Sequence, residues 1–266
     1  MSAPRIAVIG AGAVGGAVLA GLRERGRFQL AALLRPGSPR LAALPEGVAA
    51  LASAADLRSF APALVVEAAG HGAVREFGPP ALASGAALLV SSVGALHDAA
   101  LLAALTEEAR RAGARIILPS GAVAGLDHLR AARRLPETRV RYVSRKPPAA
   151  WADELARRGV DGAAMTAPLT LHGGDARGAA ARFPANLNVA ATLALAGVGM
   201  ERTEVQVVVD PEARGNTHEI AVDSPFGELR LTALNRASPD NPKTSAIVAA
   251  SILAAVEQHF ATVQFL

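Results

Sequence analysis

The chain has 266 residues, 51% of them hydrophobic, enough to bury the core of one large domain or two modest ones. It contains no cysteine, which excludes disulfides and thiolate chemistry and agrees with a reducing, cytoplasmic setting. The net charge of +4 comes mostly from arginines scattered among alanines, and aromatic residues make up only 3%, so a base-stacking nucleic-acid platform is excluded.

The first element, Arg5–Ile9, reads as a short buried strand that breaks at Gly10. It leaves no basic segment ahead of an apolar leader, and no later apolar run is long enough to span a membrane. A helical pattern follows over residues 13–25, closed by Gly26. Gly10, Gly12 and Gly15 therefore form G-x-G-x-x-G between a strand and a helix, the context that gives the motif its meaning. The first glycine permits the tight turn, the second lets the backbone approach a pyrophosphate, and the third lets helix and strand pack closely. Phosphates would then meet the unpaired amides of the helix N-terminus, so Gly10, Gly12, Ala13, Val14 and Gly15 are candidate dinucleotide contacts.

Residues 29–34 form the second apolar strand, ending at Arg35-Pro36-Gly37-Ser38. Residues 64–68, LVVEA, form another and end at Ala69-Gly70-His71-Gly72; Ala87–Val90 leads into Ser91-Ser92-Val93-Gly94. A helix over about residues 98–112 and a strand over 115–118 come next, the strand ending at Pro119-Ser120-Gly121-Ala122. This alternation predicts an α/β, Rossmann-type doubly wound parallel sheet whose ligand lies beyond the carboxyl ends of the strands.

After residue 120 the texture changes. Residues 139–144 and 204–209 read as strands, and 217–222 with 228–234 as a hairpin around Asp223-Ser224-Pro225-Phe226-Gly227. These predict a second, mixed α/β domain. Residues 183–196, FPANLNVAATLALA, read as an apolar helix with two asparagines near its start, whose amides need partners. Asn241 and Pro242 read as the N-cap and first residue of a last helix, with Ile247, Val248, Ile252, Ala255 and Val256 as its apolar stripe.

Within GNTHEI, residues 215–220, His218 shares a strand face with Ile220 and Val222, which suits a core histidine as well as a catalytic one. At Pro242–Ser245 a helix start would combine free amides with Lys243, Thr244 and Ser245, a set that suits a carboxylate or phosphate but equally an ordinary solvated first turn. Ser120 has no nucleophile-elbow motif around it, and the histidines and carboxylates show no metal-ligand spacing, so no metal is expected.

Taken together, GAGAVG at 10–15, SSVGAL at 91–96, SGAVAGLD at 120–127, RKPP at 145–148, FPANLNVAATLALAG at 183–197, GNTHEI at 215–220 and SPDNPKTSAIVAAS at 238–251 resemble the L-aspartate dehydrogenases over nearly the whole chain. The resemblance implies a dinucleotide-binding domain over residues 1–120, a substrate domain over 121–241, and a C-terminal helix over 242–266 that returns to the first domain. It implies oxidation of L-aspartate with NAD or NADP to iminoaspartate, which hydrolyses to oxaloacetate and ammonia or feeds pyridine nucleotide biosynthesis. It assigns His218 as the catalytic residue and Ala122 and Asn188 as cofactor contacts, and it implies a homodimer. No nucleic acid or membrane partner is expected.

One feature departs from a strict NAD pattern. The second strand ends on Arg35, with Arg40 close by, where a carboxylate for the ribose hydroxyls is usual. Arg35 is thus a candidate 2′-phosphate contact. Two rival readings share the glycine loop: a reductase of the dihydrodipicolinate reductase or homoserine dehydrogenase type, and a non-enzymatic NAD(P) sensor.

Overall fold

The computed structural model describes residues 3–184, 186–239 and 241–265, with the side chains of Asn241 and Pro242 outside the description. The chain divides into two compact units, Met1–Pro119 with Ala249–Phe265, and Ser120–Val248.

The first unit is built on a six-stranded parallel sheet in the order β3-β2-β1-β4-β5-β6. The strands are β1 (Arg5–Ile9), β2 (Gln29–Leu33), β3 (Val48–Leu51), β4 (Leu64–Glu67), β5 (Ala87–Val90) and β6 (Ile116–Ile117). Their near-continuous apolar runs are buried, as a parallel sheet covered on both faces requires. The connecting helices are α1 (Ala13–Glu24), α2 (Ala54–Phe60), α3 (His71–Ala83) and α4 (Ala99–Arg111). Asp98 caps α4 by accepting from the amides of Ala100 and Leu101.

The short edge strand β3 and helices α2 and α3 had weak sequence signals. β3 is half exposed and alanine-rich, and α3 carries Pro79 and Pro80. The long C-terminal helix packs on α1. A Cβ on Gly21 would fall 2.6 Å from the Leu253 side chain, Arg25 pairs with Glu257, and the rings of Phe28 and Phe260 lie 5.5 Å apart.

The second unit holds a five-stranded mixed sheet in the order β11-β10-β7-β9-β8. These are β7 (Arg139–Lys146), β8 (Leu169–Asp175), β9 (Thr203–Val209), β10 (Asn216–Ser224) and β11 (Gly227–Asn235). β7 and β9 run parallel, and the other pairs are antiparallel. Helices α5 (Leu126–Ala132), α6 (Ala152–Arg157), α7 (Ala176–Arg182) and α8 (Asn188–Ala196) complete it, with α7 and α8 packed on β9.

Two expectations are corrected here. The helix expected from residue 183 begins only at Asn188; Asn186 lies in a turn before it. The helix expected to start at Pro242 does not. Asn241–Ser245 is a strand, β13, paired with β12 (Ala237–Ser238), and the last helix, α9, runs Ile247–Phe260. Ser245 pairs with Ala237, and the Ala246 amide bonds the Arg236 carbonyl. These hairpin pairings outweigh the Asn-Pro cap signal, and the N-cap role assigned to the Asn241 side chain falls outside the described residues.

Candidate active site

The glycine loop of the first unit has the shape its sequence implies. Gly10 has φ +90°, and a Cβ there would meet the Ala69 Cβ at 2.8 Å. At Gly15 a Cβ would sit 2.2 Å from the Gly10 carbonyl oxygen, so close helix–strand packing demands glycine. Gly12 is different: nothing lies within 4 Å of the Cβ it lacks, so its backbone can be approached. It precedes Ala13 and Val14 in the first turn of α1, whose N-terminus has no side-chain cap. An open backbone at an uncapped helix start fits a dinucleotide's pyrophosphate.

Glu67, at the carboxyl end of β4, was not singled out from sequence. It is fully buried, and its carboxylate accepts from the amides of Ala69, Gly70 and Ser92 at 2.7–2.9 Å and from the Ser92 hydroxyl at 2.9 Å. It therefore ties together the two loops that follow β4 and β5. Arg35 projects outward, its side chain 80% exposed and 3.6 Å from Glu76. Such an exposed pair is weak, which leaves Arg35 available to a ligand.

In the second unit, strand alternation gathers polar groups on one buried face. β7 presents Tyr142, Ser144 and Lys146, and β10 presents Asn216 and His218, all buried. His218 pairs across the ladder with Ser144, and the Thr217–Arg145 pair places Asn216 beside the end of β7. His218 Nδ1 lies 2.7 Å from Tyr142 Oη, while Nε2 is buried with no partner among the described residues. Burial, with the Lys146 charge as second cause, pushes the imidazole down to about 3. Burial likewise pushes the Tyr142 hydroxyl up.

Lys146 is 3% exposed and is pushed down to about 8 by burial. Its ammonium donates to the Lys243 carbonyl oxygen at 2.9 Å and to Oδ1 and the backbone oxygen of Asn186 at 3.3 and 3.4 Å. Asn186, one of the two asparagines expected to need a partner, thus has one. Arg145, one residue away, points to the opposite face and pairs with Asp210 and Glu219. The signal for Lys146 was present in the sequence: the alternation of Val140, Tyr142 and Ser144 puts a lysine where the period calls for a buried residue.

The remaining candidates are spread along this unit. Ala122 lies in a buried turn, its carbonyl accepting from Asn235 Nδ2 at 2.8 Å. Asn188 opens α8. Lys243, Thr244 and Ser245 lie on a strand, so no helix N-terminus assists them. The Lys243 ammonium meets Asp153 at 2.6 Å, and the buried Ser245 hydroxyl accepts from Asn216 Nδ2 at 3.2 Å. That bond turns Asn216 Oδ1 the other way, and it is buried with no partner among the described residues. No group of three or more potential metal ligands occurs among the described residues.

Comparisons with known proteins place the whole chain. Residues 127–259 match the family model described as aspartate dehydrogenase, C-terminal, and residues 10–119 match that of the homoserine dehydrogenase NAD-binding domain. The chain is 50% identical to L-aspartate dehydrogenase 2 of Bordetella pertussis over 97% of both chains. It is 41% identical to the L-aspartate dehydrogenase of Ruegeria pomeroyi over 98% of this chain and 94% of that one. The crystal structure of aspartate dehydrogenase from Thermotoga maritima matches with a TM-score of 0.75 at 25% identity, covering 99% of each chain.

Proposed function

This chain belongs to the L-aspartate dehydrogenase family, and from that premise we propose how its own residues carry out the oxidation of L-aspartate with NAD or NADP. The observation that carries the reading is a buried His218 whose Nε2 has no partner among the described residues, on a sheet face that also holds a buried ammonium.

The nicotinamide, when bound, takes hydride from the substrate Cα. The glycine loop from Gly10 to Gly15 holds the pyrophosphate, and Glu67 keeps the neighbouring loops in place. Ala122 and Asn188 contact the cofactor near the nicotinamide, and Arg35 engages the adenosine ribose or its 2′-phosphate. His218 is the acid–base residue. For Nε2 to accept a proton, Nδ1 must carry the ring hydrogen and donate to Tyr142 Oη, a bond the hydroxyl can accept. Nε2 then takes a proton from the substrate amine or from the water that attacks the imine. Lys243, Thr244 and Ser245 line the substrate end as part of a strand. The product is iminoaspartate, which water converts to oxaloacetate and ammonia. The working form is a homodimer in the cytoplasm.

Steady-state assays of L-aspartate with NAD and with NADP, beside the reverse reaction with oxaloacetate and ammonium, test this function. Turnover with aspartate supports it. Cofactor binding with no turnover of any amino acid would favour the sensor, and turnover of a semialdehyde or cyclic imine in place of aspartate the other reductases.

A further inference from the structure

Two strands of the second unit bring three under-served polar groups to one end of one sheet face. His218 Nε2 and Asn216 Oδ1 are buried without partners among the described residues, and beside them lies the Lys146 ammonium. Its partners among the described residues are all neutral: two backbone carbonyls and an amide oxygen. The titratable groups of the sheet that share this face are Tyr142 and Lys146 on β7, His172 on β8 and His218 on β10; Lys243, on β13, offers its backbone carbonyl here and sends its ammonium to Asp153. The acids Asp210 and Glu219 are engaged by Arg145 on the opposite face. A buried cation held, among the described residues, by neutral oxygens alone lacks the negative charge that would offset its desolvation.

We propose that Lys146 is the specificity-determining residue for the substrate, its ammonium receiving a carboxylate of the amino dicarboxylic acid while Asn216 Oδ1 accepts from the substrate nitrogen. The inference rests on the aspartate dehydrogenase reading and moves the carboxylate anchor from Lys243 to Lys146. The chemistry divides cleanly: an ammonium donates to an anion, an amide oxygen accepts from an N–H, and His218 Nε2 handles the proton. Lys243 is the poorer anchor because its ammonium is already neutralised by Asp153.

Burial gives the proposal a signature that a purely structural lysine would lack. Lys146 in the free protein titrates near 8, and an anion beside it holds it charged to higher pH. Binding of a dicarboxylate above that pH must therefore take up a proton. Of the groups named, His218 is pushed far below this range and Tyr142 above it.

Succinate is the probe, since it has two carboxylates and no amine. Its affinity for the NAD(P)-saturated protein is measured from pH 7 to 9.5, with proton uptake read by calorimetry in buffers of different ionisation enthalpy. Wild type should bind progressively more weakly above about pH 8 and take up protons. Lys146→Met should bind succinate roughly 10- to 100-fold more weakly at pH 7, the worth of a charge-assisted hydrogen bond, with NAD(P) affinity within about twofold and the pH dependence gone. Lys146→Arg should restore much of the affinity without the pH dependence. Lys243→Met should have the smaller effect. If Lys146→Met binds succinate like wild type, or Lys243→Met is the worse of the two, the proposal fails while aspartate turnover by wild type still supports the parent reading. If Lys146→Met does not fold, wild type decides alone: affinity flat from pH 7 to 9.5 with no proton uptake overturns the proposal. A wild type that neither oxidises aspartate nor binds succinate overturns both.

Discussion

The protonation of His218 makes a quantitative test of the site. The ring is 2% exposed and titrates at about 3, against 6.5 for an unburied histidine. Because the folded value is lowered, the unfolded chain binds the proton first as pH falls. Stability is therefore full above about 6.5 and is lost progressively down to about 3. At about 1.4 kcal/mol for each pH unit in that window, the total is roughly 5 kcal/mol, of which about 2 kcal/mol is gone by pH 5. His218→Gln removes the titration and keeps a polar group of similar reach. Trp151 is the chain's single tryptophan and is buried in the same unit, so its fluorescence during guanidinium unfolding reports on the right part of the molecule. Between pH 7.5 and 5 the wild type should lose about 2 kcal/mol more than His218→Gln. Carboxylates that also titrate, such as Asp153 and Glu154, are common to both proteins and cancel. Parallel losses in the two proteins would show that His218 is not held neutral, and the account of its burial would be wrong.

Other consequences follow from the same geometry. His218→Ala should lower kcat by roughly 10²- to 10⁴-fold with little change in cofactor affinity; near-normal kcat would remove its acid–base role. Arg35→Asp should raise the KM for NADP more than that for NAD, and a wild type indifferent to NADP would refute the 2′-phosphate contact. Glu67→Gln replaces a carboxylate that accepts four hydrogen bonds, so the first unit should lose about 2 kcal/mol or more and NAD(P) should bind more weakly. Unchanged melting and cofactor titrations would show the network to be idle. Finally, kcat/KM for aspartate oxidation should rise with pH up to about 8 as the substrate amine loses its proton, with no acidic limb from His218 above pH 5, and above about 8 the loss of the Lys146 charge should offset the gain; a flat profile from mildly acidic pH to 8 would contradict this order of events.

The sequence disclosed most where local chemistry was decisive. Gly10 and Gly15 announced their turn because the positive φ of the first and the close approaches at both admit little else. Strands β1 and β5 were legible to the residue because parallel strands are short, apolar and bounded by glycine or serine. Asn241-Pro242 misled because the cap pattern is local, whereas β13 is also held by distant partners, Lys146 bonding the Lys243 carbonyl and Asn216 the Ser245 hydroxyl. Lys146 and Glu67 escaped notice for a related reason. Their importance lies in what they touch, and Lys146 touches residues 40 and 97 positions away along the chain.

The shifts of His218 and Lys146 have one origin, and that bears on how substrate is told from other amino acids. Both groups are held toward their neutral forms by burial, and the positive charge of Lys146 further disfavours the imidazolium. A histidine titrating near 3 is a poor proton acceptor at neutral pH. A carboxylate placed against Lys146 cancels the charge that lowers His218 and adds a favourable potential of its own, so the same contact that binds the substrate raises the basicity of Nε2. An amino acid whose side chain is uncharged leaves that potential weaker even when its Cα is correctly placed. Discrimination for aspartate should thus fall on kcat as well as on KM, because the charge that marks the substrate also readies the base.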